Sequence, residues 1–275
     1  MKYAILSDIH ANPMALEAVL GDSRDCGVTK RICLGDVVGY GPDAPGAIRL
    51  VRENLDVCLL GNHDAAVAAR ISGADFSLSA LQGIRRHRSE TTVTDRQWLA
   101  GLDLVFSEGD MACTHGEFVT PQAFDYIHSA EDARRSLDVR AEKLLFVGHT
   151  HKSAVFALDF NGTFSEFAQP TEIKIEDGCR YLINVGSVGY PRYEPWSTYC
   201  IYDTGSKTLA VRRLPFDFCG YRRMMAREHV VLPSWFEDLG DGVRIRKGSK
   251  EPRTFWQMLK KLVCRGRGGE NGNIL

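Results

Sequence analysis

The sequence predicts an α/β fold in which two mixed β-sheets pack face to face and helices flank them on the outside. Two observations support this prediction. In residues 1–60, short apolar runs alternate with segments of helical periodicity, as is typical of βαβ units with a parallel sheet. From residue 144 onward, short β-rich runs follow one another and are separated by turn residues. A βαβ half followed by a β-rich half favours two packed sheets.

The first half divides into strands and helices at recognisable capping residues. Asn12 is placed to cap the first helix, and Pro13 suits its first turn. Leu16, Val19 and Leu20 then fall on one helical face. The predicted elements are a strand over Lys2–Leu6, a helix over Pro13–Cys26, a strand over Arg31–Leu34, a helix over Ala44–Asn54 and a strand over Val57–Leu60.

Residues 65–101 are predicted to be mainly helical, with Thr94 as the cap of a helix over Arg96–Leu102. Strands are predicted to dominate the chain after residue 143. They lie over Leu144–Val147, Ala154–Leu158, Tyr181–Val185, Thr198–Tyr202 and Thr208–Arg212. These patterns predict one domain over residues 1–213, with 65–101 as a helical insertion resembling a cap, and an extension over residues 214–275.

The extension differs in charge from the rest of the chain. Residues 244–267 contain nine basic residues and one acidic residue, whereas residues 1–243 contain 25 basic and 33 acidic residues. A predicted amphipathic helix carries its apolar stripe at Phe255, Met258, Leu259, Leu262 and Val263. We expect the stripe to dock onto the acidic body of this chain or of a second copy, since such stripes usually face a core. A nucleic acid or an anionic membrane surface stays open as a partner.

Composition indicates an ordinary globular chain. The 275 residues are 44% hydrophobic and carry a net charge of −1. The eight cysteines form no CxxC pair, which favours reduced, buried thiols over disulfides or a zinc–thiolate site. The first apolar run is too short for a signal peptide, and no stretch approaches the ~18 apolar residues of a membrane span. We therefore expect a cytoplasmic protein.

Five polar clusters each follow an apolar run. In α/β sheets, side chains at the carboxyl ends of strands can face one crevice. Any one cluster alone is more simply a polar turn, but five together favour a metal site. Five of the eight histidines lie in these clusters. The clusters are Asp8 with His10, Asp36, Asn62 with His63 and Asp64, His115, and His149 with His151.

The chemistry of these side chains fits divalent cations. Carboxylate, imidazole and amide oxygen suit Mn, Fe, Zn or Co. No cysteine lies in the clusters, which argues against a structural zinc site. The candidate ligands are too many for one ion and suit two. Two ions about 3.5–4 Å apart can clamp both the attacking and the leaving oxygen of a displacement at phosphorus.

At these residues the sequence resembles a known family. The motifs D-x-H, G-D, G-N-H-D, T-H-G and G-H-x-H, in this order between residues 8 and 151, are similar to the signature of calcineurin-like metallophosphoesterases. The segment Asn184–Arg192 is similar to the N-x-G-S-x-G-x-P-R segment of a small prokaryotic branch related to diadenosine tetraphosphatases and protein phosphatases. The resemblance implies a four-layer αββα sandwich and a catalytic domain over residues 1–213.

The resemblance also implies a role for each residue. Asp8, His10 and His151 would hold the first metal ion. Asn62, His115 and His149 would hold the second, and Asp36 would bridge the two. Manganese is the favoured metal. A hydroxide bridging the two ions would attack phosphorus in line, and His63 would stabilise the phosphoryl oxygens or protonate the leaving group.

Two further side chains are candidates with open alternatives. Asp64 either orients His63 or caps a helix. Arg192 either contacts a substrate phosphate or is a surface arginine near a turn. The run Arg85–Arg88 either attracts an anionic substrate or, as we favour, forms a solvated helix face.

The predicted activity is hydrolysis of a phosphate ester, with a phosphodiester or a nucleotide favoured as the substrate. The alternatives are a weak or inactive scaffold that binds proteins, and a nuclease that grips nucleic acid with the basic tail. A dedicated protein phosphatase is disfavoured. The G-D-x-V-D-R-G motif of those enzymes has lost its second Asp and its Arg here, where Gly39 and Tyr40 stand.

Overall fold

Strands from both halves of the sequence form a first, mixed sheet in the computed structural model, which describes residues 1–168, 170–192, 196–228 and 230. Strands β1 to β3 run parallel to one another, and the remaining strands pair antiparallel. In spatial order the sheet contains β3 (Val57–Cys58), β2 (Lys30–Cys33), β1 (Lys2–Leu6), β11 (Ser197–Asp203), β12 (Thr208–Leu214) and β9 (Glu172–Lys174).

The second sheet also has six strands and mixed pairing. Strands β5, β6 and β10 run parallel, β4 pairs antiparallel with β5, and β7 pairs antiparallel with both β10 and β8. Its spatial order is β4 (Val105–Glu108), β5 (Met111–Thr114), β6 (Leu144–Val147), β10 (Arg180–Asn184), β7 (Ala154–Leu158) and β8 (Phe164–Ala168). The prediction of two mixed sheets is therefore confirmed.

Seven helices lie in the described part of the chain, together with a short 3₁₀ turn at Pro121–Ala123. The helices are α1 (Pro13–Asp25), α2 (Ala44–Asn54), α3 (Asn62–Val67), α4 (Leu78–Glu90), α5 (Val93–Ala100), α6 (Ala130–Asp138) and α7 (Phe218–Arg227). Helix α1 contacts β11 of the first sheet and packs beside α2, whereas α6 contacts β10, β7 and β8 of the second sheet. Helices therefore flank both sheets.

The main core lies between the two sheets. It combines Ile5 and Ile32 of the first sheet with Phe146 and Ile183 of the second. A smaller core between the second sheet and α6 contains Leu145, Leu182 and Leu137, among others. Central strands are thus buried on both faces, which explains why β1 and β6 are continuous apolar runs in the sequence. Burying a side chain of this size contributes about 1.5–3 kcal/mol.

Most predicted elements are found within two residues of their predicted limits, and β1, α2, β6 and β7 match them. The helix predicted at Arg96–Leu102 is displaced. Helix α5 begins at Val93 and is capped by Thr92, because the Asp95 side chain binds the Thr92 backbone N–H in return. This reciprocal capping box favours Thr92 over Thr94 as the cap.

The basic tail predicted at residues 244–267, including its apolar stripe, lies outside the described residues. The chain divides into a unit over Met1–Leu232 and a unit over Pro233–Leu275. The domain limits at residues 213 and 214 stay a prediction. In the part of the chain that is described, no helix has the length and apolar character needed to cross a bilayer.

Candidate metal centre

The five predicted polar clusters converge at one edge of the sandwich. Strands β1, β2 and β3 run parallel in the first sheet, and β5 and β6 run parallel in the second. Each of these strands ends just before one of the clusters. Three groups of side chains among the described residues could each hold a metal ion, because the possible ligand atoms within each group lie within 4.8 Å of one another. The groups are Asp8 with His10 and His151, Asp36 with His115 and His149, and His10 with Asp36 and His63.

The first group is the tightest. The Nε2 atoms of His10 and His151 lie 3.1 Å apart. The Oδ1 atom of Asp8 lies 3.1 Å from the same nitrogen of His151 and 3.7 Å from that of His10. All three side chains are buried. Three donor atoms from two sheets therefore face one point.

The second group adjoins the first through Asp36. Its Oδ2 atom lies 3.4 Å from Nε2 of His115 and 3.7 Å from Nε2 of His10. Nε2 of His115 in turn lies 3.2 Å from Nδ1 of His149. One carboxylate oxygen thus lies near imidazoles of both groups.

Backbone contacts fix which atoms of these side chains face the site. The Nδ1 atoms of His10 and His151 donate to the carbonyls of Val38 and Tyr190, at 3.0 Å and 2.5 Å. In the neutral ring, Nε2 is then the unprotonated nitrogen that faces the site. The Oδ1 atom of Asp36 accepts from the His63 backbone N–H at 2.9 Å, which leaves Oδ2 for the site.

Several polar atoms in this region are buried without a hydrogen-bond partner among the described residues. They include Oδ1 of Asp8 and Oδ1 of Asn62. Such atoms are costly to bury unless they bind something. Asn62 is the first residue of α3, directly before His63, whose backbone N–H binds Asp36. Its amide oxygen is therefore an available ligand beside the second group.

Five of the seven predicted ligands have left-handed backbone conformations. Their φ angles lie between 47° and 67°, a region of backbone conformation that residues other than glycine rarely adopt. Strain of this kind costs about 1–3 kcal/mol per residue and clusters at functional sites. The five residues are Asp8, His10, Asp36, His149 and His151. The surrounding fold therefore holds these five residues in backbone conformations that they would otherwise rarely adopt.

The loops that carry these residues are tied to one another by backbone hydrogen bonds. Asp8 N–H donates to the Gly35 carbonyl at 3.0 Å, and Gly148 N–H donates to the His115 carbonyl at 2.9 Å. The loops also approach too closely for larger residues at two glycines. A Cβ on Gly35 would lie 2.4 Å from Gly61 N, and one on Gly148 would lie 2.7 Å from Asp8 Oδ2.

The segment after β10 joins the two sheets at the site. Gly189 N–H and the Ser187 hydroxyl both donate to the Asp8 carbonyl, at 3.0 Å and 2.9 Å. The Asn184 amide donates to the Gly148 carbonyl at 2.6 Å. Asn12 caps α1 as predicted and also donates to the Gly189 carbonyl. The segment that resembles N-x-G-S-x-G-x-P-R therefore positions Asp8 and the loop of His149.

Burial and neighbouring charges set the protonation of the group. Burial lowers the pKa of His149 to about 3 and the pKa of His151 to about 4. Burial also lowers the pKa of His115, but the carboxylate of Asp36 outweighs it and raises that pKa to about 9. Burial raises the pKa of Asp36, yet the charge of His115 and its hydrogen bond hold that pKa well below its usual range. Asp36 is thus ionised and the rings of His149 and His151 are neutral, which are the forms that bind metal, whereas His115 would release a proton on binding an ion.

His63 lies beside the two groups. Its ring centroid is 4.9 Å from that of His10 and 4.7 Å from that of Tyr40, and Phe76 packs edge-on against it. Its Nδ1 has no hydrogen-bond partner in the described part of the chain. Burial holds the pKa of His63 well below its usual value, so the ring is neutral at pH 7.

The contacts of Asp64 fit a helix-capping carboxylate, which is one of the two roles that the sequence leaves open for it. Its carboxylate accepts from the backbone N–H groups of Val37, Val38 and Gly61, at 3.2, 3.1 and 3.1 Å. Burial and the charge of Asp36 raise the pKa of Asp64 to about 7, and these three hydrogen bonds oppose the rise. Asp64 ties the Asp36 loop to the start of α3.

Arg192 reaches the site through an aromatic pair. Its guanidinium lies 5.8 Å from the ring centroid of Tyr40 and donates to the Tyr40 hydroxyl at 3.2 Å. The Tyr40 ring stacks on Tyr190 at 4.3 Å, and it also lies 4.9 Å from His10. The guanidinium therefore lies beside aromatic rings that line the His10 side of the site.

The prediction of a solvated face for Arg85–Arg88 holds for Arg85 and Arg88, which are exposed, and is wrong for His87. His87 is buried, accepts from Gly39 N–H and donates to the Gly41 carbonyl, each at 2.9 Å. Arg86 donates to the same carbonyl, and Arg88 donates to the carbonyl of Ala66. These side chains bind buried backbone carbonyls that periodicity does not reveal.

We expect His87→Ala to lower the free energy of unfolding by about 2–4 kcal/mol, because it leaves the buried Gly39 N–H without its partner, removes a hydrogen bond to the Gly41 carbonyl and opens a cavity. Arg85→Ala on the same helix is the control, since that side chain is exposed and its loss costs within about 0.5 kcal/mol. Urea denaturation followed by circular dichroism measures both. Equal urea midpoints for the two variants would show that His87 does not stabilise the loop of Gly39 and Gly41.

Sequence reasoning missed several aromatic residues at the site. Tyr126 stacks on His149 with centroids 3.8 Å apart, and Phe124 lies edge-on to His115 at 6.1 Å. Tyr190 supplies the carbonyl that orients His151. Each is an aromatic residue whose importance depends on a contact with a distant residue, so no local pattern marks it.

The donor set fits two divalent cations. Two unprotonated Nε2 atoms 3.1 Å apart repel each other unless a proton or a cation lies between them. Carboxylate and imidazole donors suit borderline divalent ions. Asp36 lies close to imidazoles of both groups, and the amide oxygen of Asn62 is unpartnered among the described residues. The residues present therefore fit a pair of ions.

Comparison with known proteins finds relatives in both sequence and structure. The model of the calcineurin-like phosphoesterase superfamily domain matches residues 1–207. An uncharacterized protein of Methanocaldococcus jannaschii is 30% identical over 242 residues, which are 84% of this chain and 94% of that protein. A metallophosphoesterase from Sphaerobacter thermophilus is similar in structure, with a TM-score of 0.73 and 29% identity over 86% of this chain and 96% of that one. A hypothetical protein from Pyrococcus horikoshii shares the fold, with a TM-score of 0.67 and 16% identity over the same shares of the two chains.

Proposed function

The chain belongs to the calcineurin-like phosphoesterase superfamily, and on that premise we propose that it is a metal-dependent phosphoesterase that hydrolyses a phosphodiester or a nucleotide. The observation that carries this proposal is the position of Asp36 between two groups of donor atoms. A site with one shared carboxylate and two sets of imidazoles suits two ions rather than one.

Seven side chains would hold the two ions. Asp8, His10 and His151 would bind the first ion, Asn62, His115 and His149 would bind the second, and Asp36 would bind both. When bound, such ions supply Lewis acidity that makes a coordinated water more acidic and neutralises charge on the phosphate. Manganese is the favoured occupant, although availability decides metal identity as much as the ligands do.

His63 would serve the leaving group. Its ring is neutral, buried and close to His10, and its Nδ1 is unpartnered among the described residues. A neutral imidazole carries one N–H that can donate to a phosphoryl oxygen or to the departing oxygen. Proton transfer by a positioned group typically contributes about 10²–10⁴-fold.

Arg192 and Asp64 would act at the edges of the site. The Arg192 guanidinium has donors suited to two phosphate oxygens and is held beside Tyr40. Asp64 would act indirectly, because its carboxylate is committed to three backbone N–H groups. It would position the Asp36 loop relative to His63.

The proposal predicts hydrolysis of bis(p-nitrophenyl) phosphate by protein reconstituted with Mn²⁺, and its loss on addition of a chelator. Metal removal deprives the transition state of stabilisation worth several kcal/mol. Release of p-nitrophenol measures the rate. Activity that persists in chelator would contradict the metal mechanism, and its absence with every divalent ion tested would favour an inactive scaffold.

A further inference from the structure

A short stack of aromatic rings leads from the site to the protein surface. The Tyr126 ring stacks on His149 with centroids 3.8 Å apart and an interplanar angle of 13°. The His128 ring stacks on Tyr126 at 5.2 Å with the same angle. We define His149, Tyr126 and His128 as the aromatic column. It begins at a predicted metal ligand and ends at a ring in contact with solvent.

The outer part of the aromatic column is exposed to solvent, whereas residues beside it in the sequence are buried. Tyr126 is 44% exposed, and His128 is exposed as well. The neighbouring Phe124 and Ile127 are buried and anchor the segment. The stack on the predicted metal ligand His149 distinguishes Tyr126 from an isolated exposed ring such as Phe160, and an aromatic surface beside a polar site favours a ligand that covers it.

Two further contacts hold the segment in position. The backbone N–H of His128 donates to Asp132 Oδ2 at 3.0 Å, within the capping box of α6. A Cβ on Gly116 would lie 2.8 Å from the Asp125 carbonyl, so the segment packs closely on the loop of His115. The rings are therefore preorganised, which reduces the entropy lost when a ligand binds.

On the opposite side of the site, two rings already cover each other. Tyr40 is stacked on Tyr190 and lies beside the guanidinium of Arg192. Tyr190 is 8% exposed. Tyr126 borders the crevice through its stack on His149. A flat group joined to a bound phosphate has its open aromatic surface at the outer face of His128 and at the part of the Tyr126 ring that stays exposed.

We infer that Tyr126 and His128 form a stacking site for the base of a nucleoside phosphate ester, an inference that rests on the proposed phosphoesterase function. Every nucleobase has a π-face, and stacking of a base on an aromatic side chain contributes strongly to binding with little dependence on base identity. Alkyl esters lack such a face. The substrate class is therefore nucleotides or nucleoside phosphodiesters of any base.

The test compares two esters with the same leaving group, thymidine 5′-(p-nitrophenyl phosphate) and methyl p-nitrophenyl phosphate. The wild type is expected to prefer the nucleoside ester by about tenfold in kcat/KM. Tyr126→Leu and His128→Ala should reduce this preference several-fold. Phe160→Leu is the matched control, since Phe160 is an 82% exposed aromatic residue on the β7–β8 turn and should keep the preference.

His128→Ala distinguishes recognition of the base from structural support of His149. Tyr126 still stacks on His149 in that variant, so only the contact with the base is lost. A loss of equal size on both esters would mean that the column only positions His149 and would overturn the inference. Equal kcat/KM for the two esters in the wild type would overturn it as well. In both cases the phosphoesterase proposal would stand, since both esters would still be hydrolysed.

A binding measurement keeps the inference testable if neither ester is hydrolysed. Histidine-labelled, Zn²⁺-loaded protein is titrated with adenosine 5′-monophosphate and, separately, with ribose 5-phosphate, and the His128 ring protons are followed by NMR. We expect an upfield shift with the nucleotide and none with the sugar phosphate. The same response to both ligands, or no response to either, would overturn the inference independently of turnover.

Discussion

Asp36→Asn is expected to lower kcat/KM for a phosphodiester at least about 10³-fold, a loss of about 4 kcal/mol of transition-state stabilisation. The physical reason is the position of its Oδ2, 3.4 Å from His115 and 3.7 Å from His10. A neutral amide in the same place binds cations more weakly and leaves more positive charge uncompensated. We also expect fewer than two ions per chain by inductively coupled plasma mass spectrometry.

Asp177→Asn is the matched control for this variant. Asp177 undergoes the same chemical change, but its side chain is 81% exposed and pairs with Lys143 and Lys207 at the surface. It should retain full metal content and turnover. Thermal unfolding of both variants checks that each is folded. Two bound ions in Asp36→Asn with turnover within tenfold of the wild type would refute a shared ligand.

His63→Ala is expected to lower kcat by about 10²–10⁴-fold while the protein keeps two ions. The structure makes this variant informative, because a ring nitrogen of His63 lies within 4.8 Å of ligand atoms of His10 and Asp36. Geometry alone therefore permits His63 as a metal ligand. The metal content distinguishes the two roles, since a ligand is lost together with its ion and a proton donor is not.

The leaving group distinguishes the two catalytic roles of His63. If its N–H protonates the departing oxygen, the loss is large for an alkyl leaving group and small for p-nitrophenol, which leaves readily as an anion. If it only stabilises phosphoryl oxygens, both esters lose the same factor. Turnover close to that of the wild type on both esters would exclude His63 from the chemistry.

The convergence of the donor groups follows from the order of strands and loops in the sequence. Apolar runs that end in Asp8, Asp36 and His149 predict parallel strands with polar residues at their carboxyl ends. The structure brings these residues together because β1, β2, β5 and β6 carry them at one edge of the sandwich. Periodicity and motif spacing were sufficient for this part.

Other elements were missed for reasons that lie in their packing. Strand β8 has the burial pattern of an exposed edge strand, with four of its five residues exposed, so apolar alternation does not mark it. Strand β9 has three residues, too few for a period. Helix α6 begins with a Ser129–Asp132 capping box, which is a local signal that the sequence does carry.

The supporting residues of the site could not be predicted from local sequence. His87 binds the backbone of Gly39 and Gly41, which lie more than 40 residues away. Tyr126 acquires its position only from contact with His149. The sequence permits two interpretations of Asp64, and only the structure shows that its carboxylate accepts from the backbone N–H groups of Val37, Val38 and Gly61. Contacts between distant residues carry this information.

The most direct test of the account is anomalous diffraction from a crystal of the Mn²⁺-loaded protein, recorded at the manganese absorption edge. The account predicts two peaks about 3.5–4 Å apart, with Asp36 between them. One peak should lie beside Asp8, His10 and His151, and the other beside Asn62, His115 and His149. A single peak, or peaks away from these side chains, would contradict it.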